Sequence, residues 1–69
     1  MRRQALKQSD LIQSIGYKDG KMEIKYASDG AVFIYSGVSK GLYEALKRSS
    51  NPGSEWVEIR DHYDHERIN

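Results

Sequence analysis

The run Asp61-His62-Tyr63-Asp64-His65-Glu66 is the densest cluster of chemically able side chains in the chain. Imidazoles and carboxylates are the ligands of zinc and related metals. His62 and His65 stand three apart, so a helix would put them on one face, where Asp61 or Glu66 could add an oxygen. Two-histidine sites normally need a four-residue spacing or a third well-placed ligand. The run is therefore read as a solvated tail, and no metal or other cofactor is expected. Catalysis would need a nucleophile beside a base, or two carboxylates in a cleft. Histidine occurs only in this run, and so short a chain seldom builds a pocket that excludes water. The expectation is a protein that is not an enzyme and takes no small-molecule substrate. Gly37-Val38-Ser39-Lys40-Gly41-Leu42 has neither the length nor the terminal Lys-Ser/Thr of a phosphate loop.

Binding chemistry is better represented. Lys18, Lys21, Lys25, Lys40, Lys47, Arg48 and Arg60 can contact phosphates, which positions a nucleic acid without reading its sequence. Tyr35, and Tyr43 as an exposed helix residue, could stack on bases. Trp56 and Tyr63, if exposed, are natural anchors for a protein partner. Each has a plainer reading: lysines keep a surface soluble, and large rings complete small cores.

Bulk properties bound these options. The 69 residues make one domain, and a chain of this size buries only about 60% of its unfolded surface. Cysteine is absent, which removes disulfides and thiolate-bound zinc and favours a cytoplasmic setting. No apolar run approaches the roughly 20 residues of a membrane span, so no membrane partner is expected. The N-terminal MRRQALKQSD lacks the apolar core of a secretion signal. Net charge is only +1, a poor prior for strong nucleic-acid binding. The charge is polarised, however. Residues 1–50 hold nine basic against five acidic side chains, +4, and residues 51–69 hold two against five, −3.

These side chains must be positioned by few elements. Residues 1–8 lack periodicity and read as an N-terminal arm, with 9–69 as the single domain. Ile12–Tyr17 reads as a strand, Lys18-Asp19-Gly20-Lys21 as a type I′ hairpin turn, and Met22–Tyr26 as an alternating strand. A second Asp-Gly, at Asp29-Gly30, leads into Val32–Tyr35. With two-residue loops, Tyr17 opposes Met22, Ile15 opposes Ile24, Tyr26 opposes Phe33 and Ile24 opposes Tyr35. One face then collects Ile15, Tyr17, Met22, Ile24, Tyr26, Phe33 and Tyr35. Ser39 is a helix N-cap, and Lys40–Arg48 a helix with the apolar stripe Leu42, Ala45, Leu46. Ser49–Ser54 forms a turn cluster. From Glu55 onward, helix and strand both remain open. The helix stripe needs a surface to cover, so Phe33 and Tyr35 are read as core; the competing picture is an open aromatic platform.

The order of these pieces resembles the KTSC domain, over roughly residues 9 to 63. The matching pieces are SIGY at Ser14–Tyr17, VFIYSGV at Val32–Val38, LYEAL at Leu42–Leu46, a Ser and Gly at Ser50 and Gly53, and IRDHY at Ile59–Tyr63. Tyr35 matches the second position of the family's Tyr-x-Tyr, and Phe33 replaces the first tyrosine, keeping the ring without its hydroxyl. The family's Asn after the Ser-Gly aromatics has no counterpart. The resemblance implies a short module found on some lysyl-tRNA synthetases and alone in bacteria and phages, with RNA as the suggested ligand and no catalytic residues.

The expectation is thus an α+β fold: a three-stranded antiparallel meander, one helix on one face, and a C-terminal helix or strand segment. The expected function is a small non-catalytic binding module for RNA or another nucleic acid, through Lys25, Tyr35, Lys40, Tyr43, Lys47, Arg48 and Arg60. The alternative is a protein-interaction module, such as a phage-type inhibitor of a host defence complex, using Trp56 and Tyr63.

Overall fold

The computed structural model describes residues 3–69. The chain is α+β, with strands β1 (Arg3–Ala5), β2 (Ile12–Lys18), β3 (Lys21–Tyr26) and β4 (Val32–Ser36). Helices α1 (Lys40–Arg48) and α2 (Pro52–Ile59), a 3₁₀ turn (Arg60–His62) and β5 (His65–Arg67) follow. All strands pair antiparallel in sequence order, so the sheet has five strands, not three. The two additions are the edges, of three residues each, which are too short to show a period of two. β1 comes from the segment read as an arm, and residues 1–2 of that arm lie outside the described residues.

The central hairpin follows its turn chemistry. Asp19 and Gly20 both have positive φ, 50° and 80°, as a type I′ turn requires. Tyr17 faces Met22 and Ile15 faces Ile24 as expected, with a bulge at Gln13 between the Ile12 and Ser14 pairs. The next connection differs. Ala27–Gly30 forms a four-residue loop closed by the Tyr26 N–H on the Ala31 carbonyl, 2.9 Å. Asp29 Oδ1 accepts from the Ala31 N–H at 3.0 Å. Two extra residues slide the register by two, so Phe33 faces Ile24 and Tyr35 faces Met22. A slip of two preserves which side chains share a face, and the expected aromatic face survives.

That face is the core. Ile15, Met22 and Ile24 are fully buried, with Leu46 of α1 and Trp56 of α2 packed into the same cluster. Ser39 caps α1 by accepting from the Leu42 N–H. The helix is rotated from the expected stripe: Tyr43 and Leu46 face inward, Leu42 is half-buried and Ala45 is exposed. Pro52 begins α2, where its missing N–H costs nothing. Gly53 lets this helix approach the Leu6–Leu11 segment, since a Cβ there would lie 2.9 Å from Ser9 Oγ and 3.0 Å from Leu11 Cβ. Among the described residues, no helix is long and apolar enough to cross a membrane.

Candidate functional site

The aromatic face does not end under the helices. At its β4–β5 side it opens into a groove of about 420 Å³, between the β3–β4 loop, β4, the 3₁₀ turn and β5. Behind the groove lies Trp56, carried by α2 and wholly buried. The Trp56 ring meets Tyr35 edge-on, centroids 4.8 Å apart, and stacks on Tyr63 at 5.8 Å. Its indole Nε1–H donates to the Tyr26 hydroxyl at 3.0 Å, and the Tyr26 and Tyr35 hydroxyls are hydrogen-bonded to each other. Tyr26 and Tyr35 are 6% and 3% exposed, so this three-member chain is sealed from below and reaches the groove at one end. Burial, then the bond to Tyr26, hold the Tyr35 hydroxyl pKa well above the usual tyrosine range. It stays protonated at neutral pH.

The walls are Phe33 and His65. The half-buried Phe33 ring lies 6.2 Å from Tyr35 and meets Tyr26 edge-on at 5.8 Å. His65 faces Tyr35 across the β4–β5 pair, so its ring sits beside both, 5.8 Å from Phe33 and 5.5 Å from Tyr35. Arg60, at the start of the 3₁₀ turn, closes the rim. Its guanidinium carbon lies 5.6 Å from the Tyr26 ring centroid, a cation–π contact. It makes no ion pair among the described residues. The neighbouring Tyr26 hydroxyl raises its pKa, outweighing the desolvation of partial burial. Asp29 and Asp61 complete the rim. Arg60 brings one positive charge to the groove, and Asp29 and Asp61 bring two negative ones. A highly charged anion would find it unfavourable; a flat molecule with both donors and acceptors would fit.

Of the candidates read from the sequence, the structure brings Tyr35, Trp56, Arg60 and Tyr63 together, with Tyr35 and Arg60 at the groove and Trp56 and Tyr63 behind it. The rest lie elsewhere. Lys40, Lys47 and Arg48 are on α1, Lys40 beside the β2–β3 turn because the Val38 N–H donates to the Gly20 carbonyl. Lys25 alternates with Ile24 on β3 and belongs to the helix-free face, with Glu23 and Val32. Tyr43, expected to be exposed, is only 9% exposed. It stacks on Tyr17 at 5.1 Å and carries Lys47 Nζ 4.9 Å from its centroid, so its ring is not a free platform. Tyr17 in turn donates its hydroxyl to the Val38 carbonyl at 2.7 Å, a packing role.

Tyr26, Phe33, His65, Asp29 and Asp61 also line the groove and are not among the binding residues expected from the sequence. Phe33 and Tyr26 had a signal, the shared face, but no indication that one edge of that face would be open. The run holding His62 and His65 reads from the sequence as a solvated tail, whereas His65 sits in β5 beside Phe33 and Tyr35 and His62 in the 3₁₀ turn. Among the described residues no three potential metal ligands converge.

VFIYSGV and IRDHY, far apart in the chain, thus meet at one groove, the first through Phe33 and Tyr35 and the second through Arg60 and Asp61. No curated protein matches the sequence. The family model of the KTSC domain matches residues 8–63, most of the chain; that span holds β2, β3, β4, both helices and the 3₁₀ turn, while β1, β5 and the groove residue His65 lie outside it. The chain belongs to the KTSC domain family.

Proposed function

We propose that this chain is a small, non-catalytic module for single-stranded RNA, which takes one unstacked base into the groove between β4, β5 and the 3₁₀ turn. The observation that carries this is Arg60: a partly buried guanidinium without an ion pair among the described residues, at the mouth of an aromatic-walled groove. About 420 Å³ is within the range of small-ligand sites, and single-stranded RNA is read by stacking splayed bases on aromatic rings and arginine planes. Phe33 and His65 supply such rings. The base is the anchor here, because Asp29 and Asp61 oppose a phosphate. Lys18 and Lys21, facing each other across the hairpin, and Lys40 lie at another end and assist only a longer strand.

The test is fluorescence anisotropy of a labelled single-stranded RNA of about ten nucleotides, against a duplex of the same length. The single strand should bind and the duplex should not. Because few phosphates are engaged, affinity should fall shallowly with salt, with a log–log slope of about −0.7 for each phosphate neutralised. Arg60→Gln should weaken binding about tenfold, the scale of one lost bidentate contact. Equal binding of single strand and duplex, or an unaltered affinity in Arg60→Gln, would refute the proposal.

A further inference from the structure

The groove's hydrogen-bonding groups do more than accept any base, and we propose that they select guanine. This rests on the RNA reading above and deepens it. Three polar hydrogens sit in the buried chain, one on Trp56 Nε1 and one on each hydroxyl of Tyr26 and Tyr35. They serve two hydrogen bonds, Trp56 to Tyr26 and Tyr26 with Tyr35. Whichever hydroxyl donates in the second bond, one hydroxyl hydrogen remains. An additional bond from Arg60 to Tyr26 would not change this count, because it adds one hydrogen and one bond. Tyr26 and Tyr35 line the groove beside Arg60; turned toward it, the spare O–H would join the forked donors of Arg60 and call for two neighbouring acceptors.

The rim calls for donors. Asp29 Oδ1 is engaged by the Ala31 N–H, leaving its second oxygen, and the exposed Asp61 carboxylate adds two more acceptors on the same groove. Guanine alone among the four bases has adjacent acceptors, O6 and N7, on one edge and adjacent donors, N1–H and N2–H₂, on the next. Arginine pairs bidentately with O6 and N7; a carboxylate pairs with N1–H and N2–H₂. Adenine would present its N6 amine to the guanidinium, donor against donor. Uracil flanks one N–H with two carbonyls, and cytosine has one amine, so neither supplies the donor pair. Stacking on an aromatic ring such as Phe33 is open to every base, and discrimination falls to the edges.

The experiment uses the full chain and labelled oligouridine pentamers with guanosine, adenosine, cytidine or uridine at the centre. The guanosine pentamer should bind about tenfold or more tightly than the others, the scale of one bidentate pair. Inosine, without the N2 amine, and 7-deazaguanosine, without N7, should each lose most of that advantage. Equal affinity of the four pentamers, or preference for another base, would overturn the guanine assignment while leaving RNA binding in place. No binding of any pentamer would overturn both.

Discussion

Replacing Tyr26 by phenylalanine isolates the polar chain beneath the groove. The ring and its contact with Phe33 are kept, and one oxygen is lost. That oxygen accepts from Trp56 and bonds to Tyr35, and all three residues are buried, with Trp56 at 0% exposure. Tyr26→Phe therefore strands the indole N–H in an apolar interior, at about 1–3 kcal/mol for an unsatisfied buried donor. It also removes the bond to Tyr35, a further ~1 kcal/mol, for a total of about 2–4 kcal/mol. Tyr35→Phe removes only the terminal hydroxyl and leaves Trp56 satisfied, for about 1 kcal/mol. The asymmetry is large against a total stability of about 3–10 kcal/mol for a chain of this length. Urea unfolding reads it directly: with a slope near 1 kcal/mol/M, Tyr26→Phe should lower the midpoint by about 2–4 M and Tyr35→Phe by about 1 M. Equal midpoints for the two variants would refute the chain as drawn, because they would mean that Trp56 does not depend on Tyr26.

The burial of Tyr43 predicts a loss of about 3–5 kcal/mol for Tyr43→Ala and a change within about 0.5 kcal/mol for Tyr43→Phe, by the same unfolding assay. Gly53→Ala should destabilise by about 1–3 kcal/mol, since its Cβ would crowd Ser9 Oγ, itself held by the Leu11 and Ile12 N–H groups. Gly41→Ala, whose Cβ would meet nothing nearer than 3.9 Å, should stabilise α1 by up to about 1 kcal/mol. The raised Tyr35 pKa makes its stabilisation fully present below the unfolded tyrosine value of about 10 and lost as pH rises beyond it. Urea midpoints should therefore fall more steeply above about pH 10 in the parent chain than in Tyr35→Phe.

Much of the fold is legible locally. Asp19-Gly20 sets the hairpin register, and Ser39 with the apolar spacing after it sets α1 to its bounds. The second Asp-Gly misleads because Asp29 spends its side chain closing a longer loop rather than a two-residue turn. β1 and β5 escape because three-residue edge strands are decided by the partners beside them, not by their own pattern. Tyr43 turns inward because Tyr17, on a different element, offers it a ring to stack on. The candidate site is legible only in pieces: Arg60 and Tyr35 attract notice singly. Their meeting depends on α2 carrying Trp56 under β4 and on His65 pairing opposite Tyr35, contacts between segments 20 to 30 residues apart that no local pattern reports.

An amide-shift NMR titration of the chain with a short single-stranded RNA tests the central claim most directly. At about 150 mM salt, where screening extends only ~8 Å, diffuse attraction to the lysines is suppressed. Saturable shifts centred on Phe33, Tyr35, Arg60 and His65, lost in Arg60→Gln, are the predicted result. Shifts confined to Lys18, Lys21, Lys40 and Lys47, or no shifts from a folded sample, would contradict it.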